Sequence, residues 1–426
     1  MEGVDIFQKN RSKTGIRGTW QARIRFTDVK VPKENLLHQE GRGLIVALTC
    51  LNYGRCTLSA GIAGAADRAF EQSTKWVQTR YQFDRPLADF EGVRMRIARM
   101  SAYTYAMDSM LYMMTGMLDR GDTDIMVETA MTKVFCSQYG WEAIDDAMQI
   151  MGGEGYVTEN EFERLWRDNR IHRIVEGSNE VMQPFVFAYG GRKLAESMLG
   201  IQGALLWDND ESPLANAQRM VTNGLNPTIL AKAIPLGIQL FLGLKPAAPQ
   251  ITRLDPSLAS FARRLSRLVQ LHSHLFKMVS KWEREDIVTR QAQQARVADN
   301  AILIFALSCA LSKMDQQLRD GDHGVEFQRE RAAFAHLFDL FELKIEHNGE
   351  SMQDNADDSM REAAVAALDY VETLPNSEYA IHESSPIAKG TGMELNHEDV
   401  KQFPGGEKGQ LSSGDGEATK ALPTVS

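Results

Sequence analysis

The residue types best suited to chemistry gather in Arg173-Ile-Val-Glu-Gly-Ser-Asn-Glu-Val181, where Glu176 follows an apolar pair, Ile174 and Val175. A carboxylate walled by apolar groups and carried on a loop can be aimed at a substrate, as a general base must be. Ser178 is a candidate N-cap, and Glu180 falls in the first turn of the following helix, where the helix dipole favours negative charge. The plainer reading makes Glu176 one more acidic side chain near a helix N-terminus. Taken alone, the stretch leaves both readings open.

Other stretches offer binding chemistry. Thr79-Arg-Tyr-Gln-Phe-Asp-Arg-Pro-Leu87 contains Arg80, whose planar fork of donors suits a diphosphate, although arginine on such a link also serves as a cap or a solvated charge. In Asn52-Tyr-Gly-Arg55, Gly54 sits within an expected helix, where it costs about 1 kcal/mol against alanine and hints at a close contact. Gly152-Gly-Glu-Gly155 follows a helix, so it reads as a helix stop rather than a dinucleotide turn, which follows a strand. Its glycines would also let a cofactor approach the backbone. The sequence has no P-loop, no G-x-S-x-G turn and no H-E-x-x-H, and His272 and His274 point to different sides of a helix. No metal site is expected.

The elements that must position these groups are mainly helical. Residues 1–38 read as the end of a β domain, with one strand alternating through Ile24, Phe26, Val29 and Val31 before Pro32. A lone strand cannot bury its own face, so this one needs a sheet not visible in the chain. Residues 39–200 read as four long helices: about 44–78; a second with Pro86 in its first turn and a stripe of Tyr103, Met107, Leu111, Met114 and Leu118; a third to about Met151; and a fourth from Ser178 to about Met198. Short links make an antiparallel four-helix bundle the expected architecture. Residues 201–384 form an additional helical domain, clearest at about 256–281, 283–319 and 325–347, and residues 385–426 have the composition of a disordered tail. The apolar segment 228–244 is interrupted by Lys232, Pro235 and Gln239, so packing within the protein and peripheral contact with a bilayer both stay open.

Composition sets the wider limits. The chain has 426 residues, 43% hydrophobic and 24% charged, as in ordinary globular proteins. A net charge of −10 with no dense Lys/Arg block argues against nucleic acid. Four scattered cysteines suit a reducing compartment, and the N-terminal residues lack the apolar core of a signal peptide, so the default address is cytoplasmic.

Taken in order, Gly15-Ile-Arg-Gly-Thr-Trp20, Val31-Pro-Lys-Glu-Asn-Leu-Leu37, Gly41-Arg-Gly43, Asn52-Tyr-Gly-Arg55, Arg80-Tyr-Gln-Phe83, Gln149-Ile-Met-Gly-Gly-Glu-Gly-Tyr156, Arg167-Asp-Asn-Arg-Ile171 and Ile174-Val-Glu-Gly-Ser-Asn-Glu180 resemble the acyl-CoA dehydrogenase family. The helical region after about residue 200 looks like the very-long-chain branch. The resemblance implies the C-terminal portion of an FAD enzyme of β-oxidation that forms a trans-2 double bond in a fatty acyl-CoA, with most of the middle β domain and the N-terminal helical domain not represented. It implies Glu176 as the base. Arg80, Gln82, Phe83, Gln149, Gly152, Gly153, Ser178 and Glu180 would be cofactor contacts, with the Gln149–Gly153 segment serving a neighbouring subunit and hence at least a homodimer. Asn52, Tyr53, Gly54, Arg55, Val175 and Gly177 would be substrate contacts. An electron-transfer flavoprotein would be the acceptor. The address would be mitochondrial in a eukaryote, and in a bacterium cytoplasmic and peripheral to the inner membrane.

Two departures stand out: Asp84 replaces the usual glycine after R-x-Q-F, and Ser178 the commoner threonine. A rival reading is a non-catalytic helical interaction or assembly module derived from such an enzyme.

Overall fold

A computed structural model describes residues 2–9, 13–122, 124–205, 212–224 and 226–373. The tail expected at 385–426 lies outside the described residues. In chain order the elements are β1 (Val4–Lys9), β2 (Ala22–Phe26), α1 (Gly43–Thr79), β3 (Tyr81–Gln82), β4 (Arg85–Pro86), α2 (Glu91–Asp119), α3 (Met126–Met151), α4 (Gly153–Tyr156), α5 (Glu161–Asn169) and α6 (Asn179–Leu205). They continue as α7 (Pro213–Gly224), α8 (Pro227–Phe241), α9 (Ala259–Glu283), α10 (Gln291–Asp320), α11 (Val325–Glu350) and α12 (Asp357–Tyr370). The described residues form two compact units, those of 1–33 with those from 364 onward, and those of 34–363.

In the first unit the strand expected at 21–31 is shorter than its alternation suggested, and it has a partner. β2 pairs antiparallel with β1, from Val4 opposite Phe26 to Lys9 opposite Ala22, with a bulge between Ile6 and Gln8. Thr27 N donates to Gly3 O at 2.8 Å, and Asp28 then turns left-handed (φ 49°), which ends the strand before Val29 and Val31. The pair leaves Ile6, Ile24 and Phe26 about half exposed or more.

The second unit is helical throughout its core. α1, α2 and α3 pack on one another, α6 lies on α3, and α10 closes against α2, α3 and α6. α2 begins at Glu91, later than Pro86 implied. Pro86 is instead paired with Tyr81 in the small β3–β4 hairpin, whose two-residue turn, Phe83 and Asp84, has both φ angles positive (53° and 61°). That is the turn class that matches strand twist, and aspartate tolerates it better than most residues.

The single apolar stripe expected on α2 is also an underestimate. Between Met100 and Met110 nearly every side chain is buried, because α10 and α11 cover the face that α1 and α3 do not. The ring of Phe341 on α11 meets Tyr103 of α2 and Phe135 and Tyr139 of α3, with centroids 5.4–6.2 Å apart. One apolar core therefore runs from Ile62 to Ile345, and residue 200, where a boundary was expected, falls inside α6. α10 is long and apolar enough to cross a membrane, but 67% of its most apolar window is buried inside the protein, as in a core helix. α8 packs near α6, α7 and α9 and exposes Ile234, Ile238 and Phe241.

Candidate active site

The loop that carries Glu176 runs from a 3-10 turn, Arg170–Arg173, to the start of α6. Ile174 N and Val175 N both donate to Ile171 O, at 2.8 and 3.1 Å, which extends the turn. Glu176 and Gly177 then adopt left-handed conformations (φ 58° and 85°). For a residue with a Cβ that region costs about 1–2 kcal/mol, so the surroundings must hold it there. At Gly177 a side chain would be strained by the positive φ, and its Cβ, 2.6 Å from Met182 Cε, would push that methionine aside. Ser178 ends the loop as expected, its carbonyl accepting from Val181 N and Met182 N at 3.0 and 2.9 Å to open α6.

The left-handed pair turns the carboxylate back over α1. A Cβ on Gly54 would stand 3.3 Å from each oxygen of Glu176, so the glycine suspected of a close contact supplies the space for the acid group. Glu176 Oε2 is buried with no hydrogen-bond partner. A buried polar atom in that state costs about 1–3 kcal/mol, and such atoms gather where a ligand completes the set.

Cations hold the loop through its main chain. Arg55, 5% exposed, donates Nε to Glu176 O at 3.4 Å and Nη1 to Asn52 Oδ1 at 3.3 Å, while Thr129 Oγ1 donates to the same Asn52 oxygen. Burial pulls the Arg55 guanidinium below its usual range, and the negative charge of Glu176 partly offsets that. Lys133 of α3, fully buried, donates to Gly177 O at 2.7 Å and to Asn179 Oδ1 at 2.8 Å; Ser137 Oγ donates to that same amide oxygen at 3.0 Å. Burial brings Lys133 down to about 8, helped by Arg55 and opposed by Glu180 and Glu176.

Asn52, Gly54, Arg55, Glu176 and Gly177 thus meet at one place. Asn52 and Arg55 face inward and join α1 to α3 and the loop, whereas Tyr53 (55% exposed) and Val175 reach solvent. Arg80 and Gln82 are exposed at the end of α1 and on the hairpin, and Phe83 is 85% exposed at the hairpin tip. Gln149, Gly152 and Gly153 are exposed at the C-terminal end of α3, where Gly152 (φ 62°) is the expected stop. Glu180 borders a cavity of about 430 Å³ walled by α3, α6, α10 and α11, together with Arg173, Asn179, Asp299 and Lys344. Two residues escaped the sequence reading. Lys133 showed only as a lone charge in an apolar run, and Asn179 was passed over between Ser178 and Glu180.

Residues 41–187 match the family described as acyl-CoA dehydrogenase, C-terminal domain. The very long-chain specific acyl-CoA dehydrogenase of Macaca fascicularis is 30% identical over 318 residues, 74% of this chain and 46% of that protein. A probable acyl-CoA dehydrogenase, FadE10, of Mycobacterium bovis is 30% identical over 329 residues, 74% of this chain and 48% of its own. The chain thus spans about half the length of these curated relatives. An acyl-CoA dehydrogenase from Bacillus anthracis, crystallised with FAD, superposes with a TM-score of 0.64 over 92% of this chain and 62% of its own, at 23% identity, a likeness of fold. The chain belongs to the acyl-CoA dehydrogenase family.

Proposed function

We propose that this chain carries the catalytic base of an FAD-dependent dehydrogenase of fatty acyl-CoA, of the very-long-chain type, and that Glu176 is that base. The observation that carries the proposal is the buried, unpartnered carboxylate oxygen on a strained residue, held over Gly54 of α1, where the absence of a side chain leaves room for it. A thioester laid beside Gly54 would present its α-carbon to that oxygen. Glu176 takes the α-proton, the electrons of that C–H bond form the C2–C3 double bond, and hydride leaves the β-carbon. Arg55 and Lys133 hold the loop by its carbonyls, so the carboxylate meets the substrate without an ion pair to break. Exposed Val175 and Ile174 offer apolar walls from which an acyl tail would expel water.

Bound FAD would accept the departing hydride. The residues present fit that cofactor: Gly152 and Gly153 have open space where a Cβ would be, and Phe83 and Arg80 lie exposed for a ring and a diphosphate. Exposure of both segments in one chain supports a partner subunit and a homodimer. An electron-transfer flavoprotein would reoxidise the flavin, and the apolar residues displayed by α8 support peripheral contact with the inner membrane, in mitochondria if the source is eukaryotic.

The test is Glu176→Gln in protein supplied with FAD and the N-terminal portion that the relatives carry. The variant should stay yellow, yet a long-chain acyl-CoA should no longer bleach it. Undiminished bleaching removes Glu176 from the role, and a colourless, stable oligomer of the unaltered protein would favour an assembly module.

A further inference from the structure

An ammonium group is least welcome where Lys133 puts it, early in α3 in a stretch that also buries Met131, Val134, Phe135 and Cys136, with no solvent exposure. Burying such a charge is expensive, and a well-packed apolar side chain would hold helices together better. What Lys133 gains is two short bonds to the loop. Its Nζ reaches Gly177 O at 2.7 Å and Asn179 Oδ1 at 2.8 Å, on either side of Ser178 and directly after Glu176. Ser137 Oγ fixes the Asn179 amide at 3.0 Å, so the acceptor is itself positioned.

Arg55 completes the pattern from the other side. It reaches the Glu176 carbonyl, and Lys133 the next carbonyl along, so cations from α1 and α3 hold consecutive peptide groups of the left-handed pair. Neither cation is hydrogen-bonded to the carboxylate, whose Oε2 stays unpartnered. A cation bonded to the acid would stabilise its charged form and weaken it as a base. Bonded to the main chain, the same cation fixes direction while its charge is felt by the acid only at a distance, with no hydrogen bond to the carboxylate.

We propose that Lys133 is a positioning residue for the base: by anchoring the Gly177 carbonyl it keeps the Glu176–Gly177 pair left-handed and the carboxylate over Gly54. The inference rests on reading Glu176 as the base, but its test does not.

Amide hydrogen exchange of the full chain reports the loop directly, because Ile174 N and Val175 N are hydrogen-bonded and must open to exchange. In Lys133→Met the peptide covering 170–182 should exchange at least tenfold faster, while the α2 segment from Met100 to Met110 keeps its rate. Lys133→Arg, which retains a cationic donor, should lie nearer the wild type, and in Lys133→Ala added methylammonium should slow loop exchange again while tetramethylammonium, which cannot donate, should not. Wild-type loop exchange in Lys133→Met overturns the proposal, as does Lys133→Arg exchanging as fast as Lys133→Met together with no slowing of Lys133→Ala by methylammonium. In the reconstituted flavoprotein, Lys133→Met should lower the bleaching rate about a hundredfold with little change in KM, as expected for roughly 1 Å of misplacement. If unaltered protein never bleaches, the reading of Glu176 fails and the exchange result still decides whether Lys133 anchors the loop.

Discussion

Gly54→Ala separates stability from chemistry at one atom. Inside α1, alanine is favoured over glycine by about 0.5–1 kcal/mol, because it restricts the unfolded chain more. Against this, the new Cβ would lie 3.3 Å from both Glu176 oxygens and 3.4 Å from the carboxyl carbon. The acid is the far end of a side chain and can recede by a few tenths of an ångström, which leaves a net gain of about 0.5 kcal/mol. For the roughly 330 residues of the second unit, unfolding entropy of about 2.1 cal/mol/K per residue turns that gain into a rise of about 1 °C in Tm. The same retreat moves the proposed base. If a 1 Å error costs about a hundredfold, 0.3 Å costs about fourfold in the rate of acyl-CoA-dependent bleaching. Calorimetry reads the first effect and stopped-flow absorbance the second. A melt lowered by several degrees together with an unchanged bleaching rate would refute the argument that this glycine exists to admit the carboxylate.

Two further outcomes follow from buried charge. Asp146 of α3, 2% exposed, accepts from Arg96 and Arg99 of α2, with Arg99 Nε at 2.8 Å. Asp146→Asn should therefore cost about 2–3 kcal/mol in urea unfolding, less than a fully buried pair because both arginine side chains are 38% exposed. Burial holds His272, beside a small cavity between α6, α9 and α10, down to about 4. Its folded state releases a proton that the unfolded chain binds below about 6.5, so its contribution to stability is lost as pH falls from about 6.5 towards 4. His272→Leu should flatten the decline in unfolding free energy between pH 7 and 5, and identical slopes would count against that assignment.

What could be read in the residues was local. The ends of α1 and α3 follow from period and from Gly152, and Gly54 announced a contact because glycine is costly within a helix. Pro86 misled because its preference for a helix start is a property of the residue, whereas its pairing with Tyr81 depends on two positive φ angles at Phe83 and Asp84. β1 went unseen because six residues with a bulge alternate too weakly to mark a strand. α5 was missed for a similar reason, although Asn160 Oδ1 caps it by accepting from Phe162 N at 3.3 Å. The all-round burial of α2 depends on α10 and α11, far along the chain. Glu176 could be picked out by its motif, but its support could not: the bonds from Lys133 and Arg55 span 44 and 121 residues.

The most direct measurement is the reduction rate of bound flavin with acyl-CoA deuterated at the α-carbon, in unaltered protein and in Glu176→Gln, both supplied with FAD and the N-terminal portion of a relative. With Glu176 as base, deuterium slows bleaching several-fold in the unaltered protein, and the variant does not bleach with either substrate. Bleaching of the glutamine variant at the unaltered rate, with the same isotope effect, would mean that another group takes the proton.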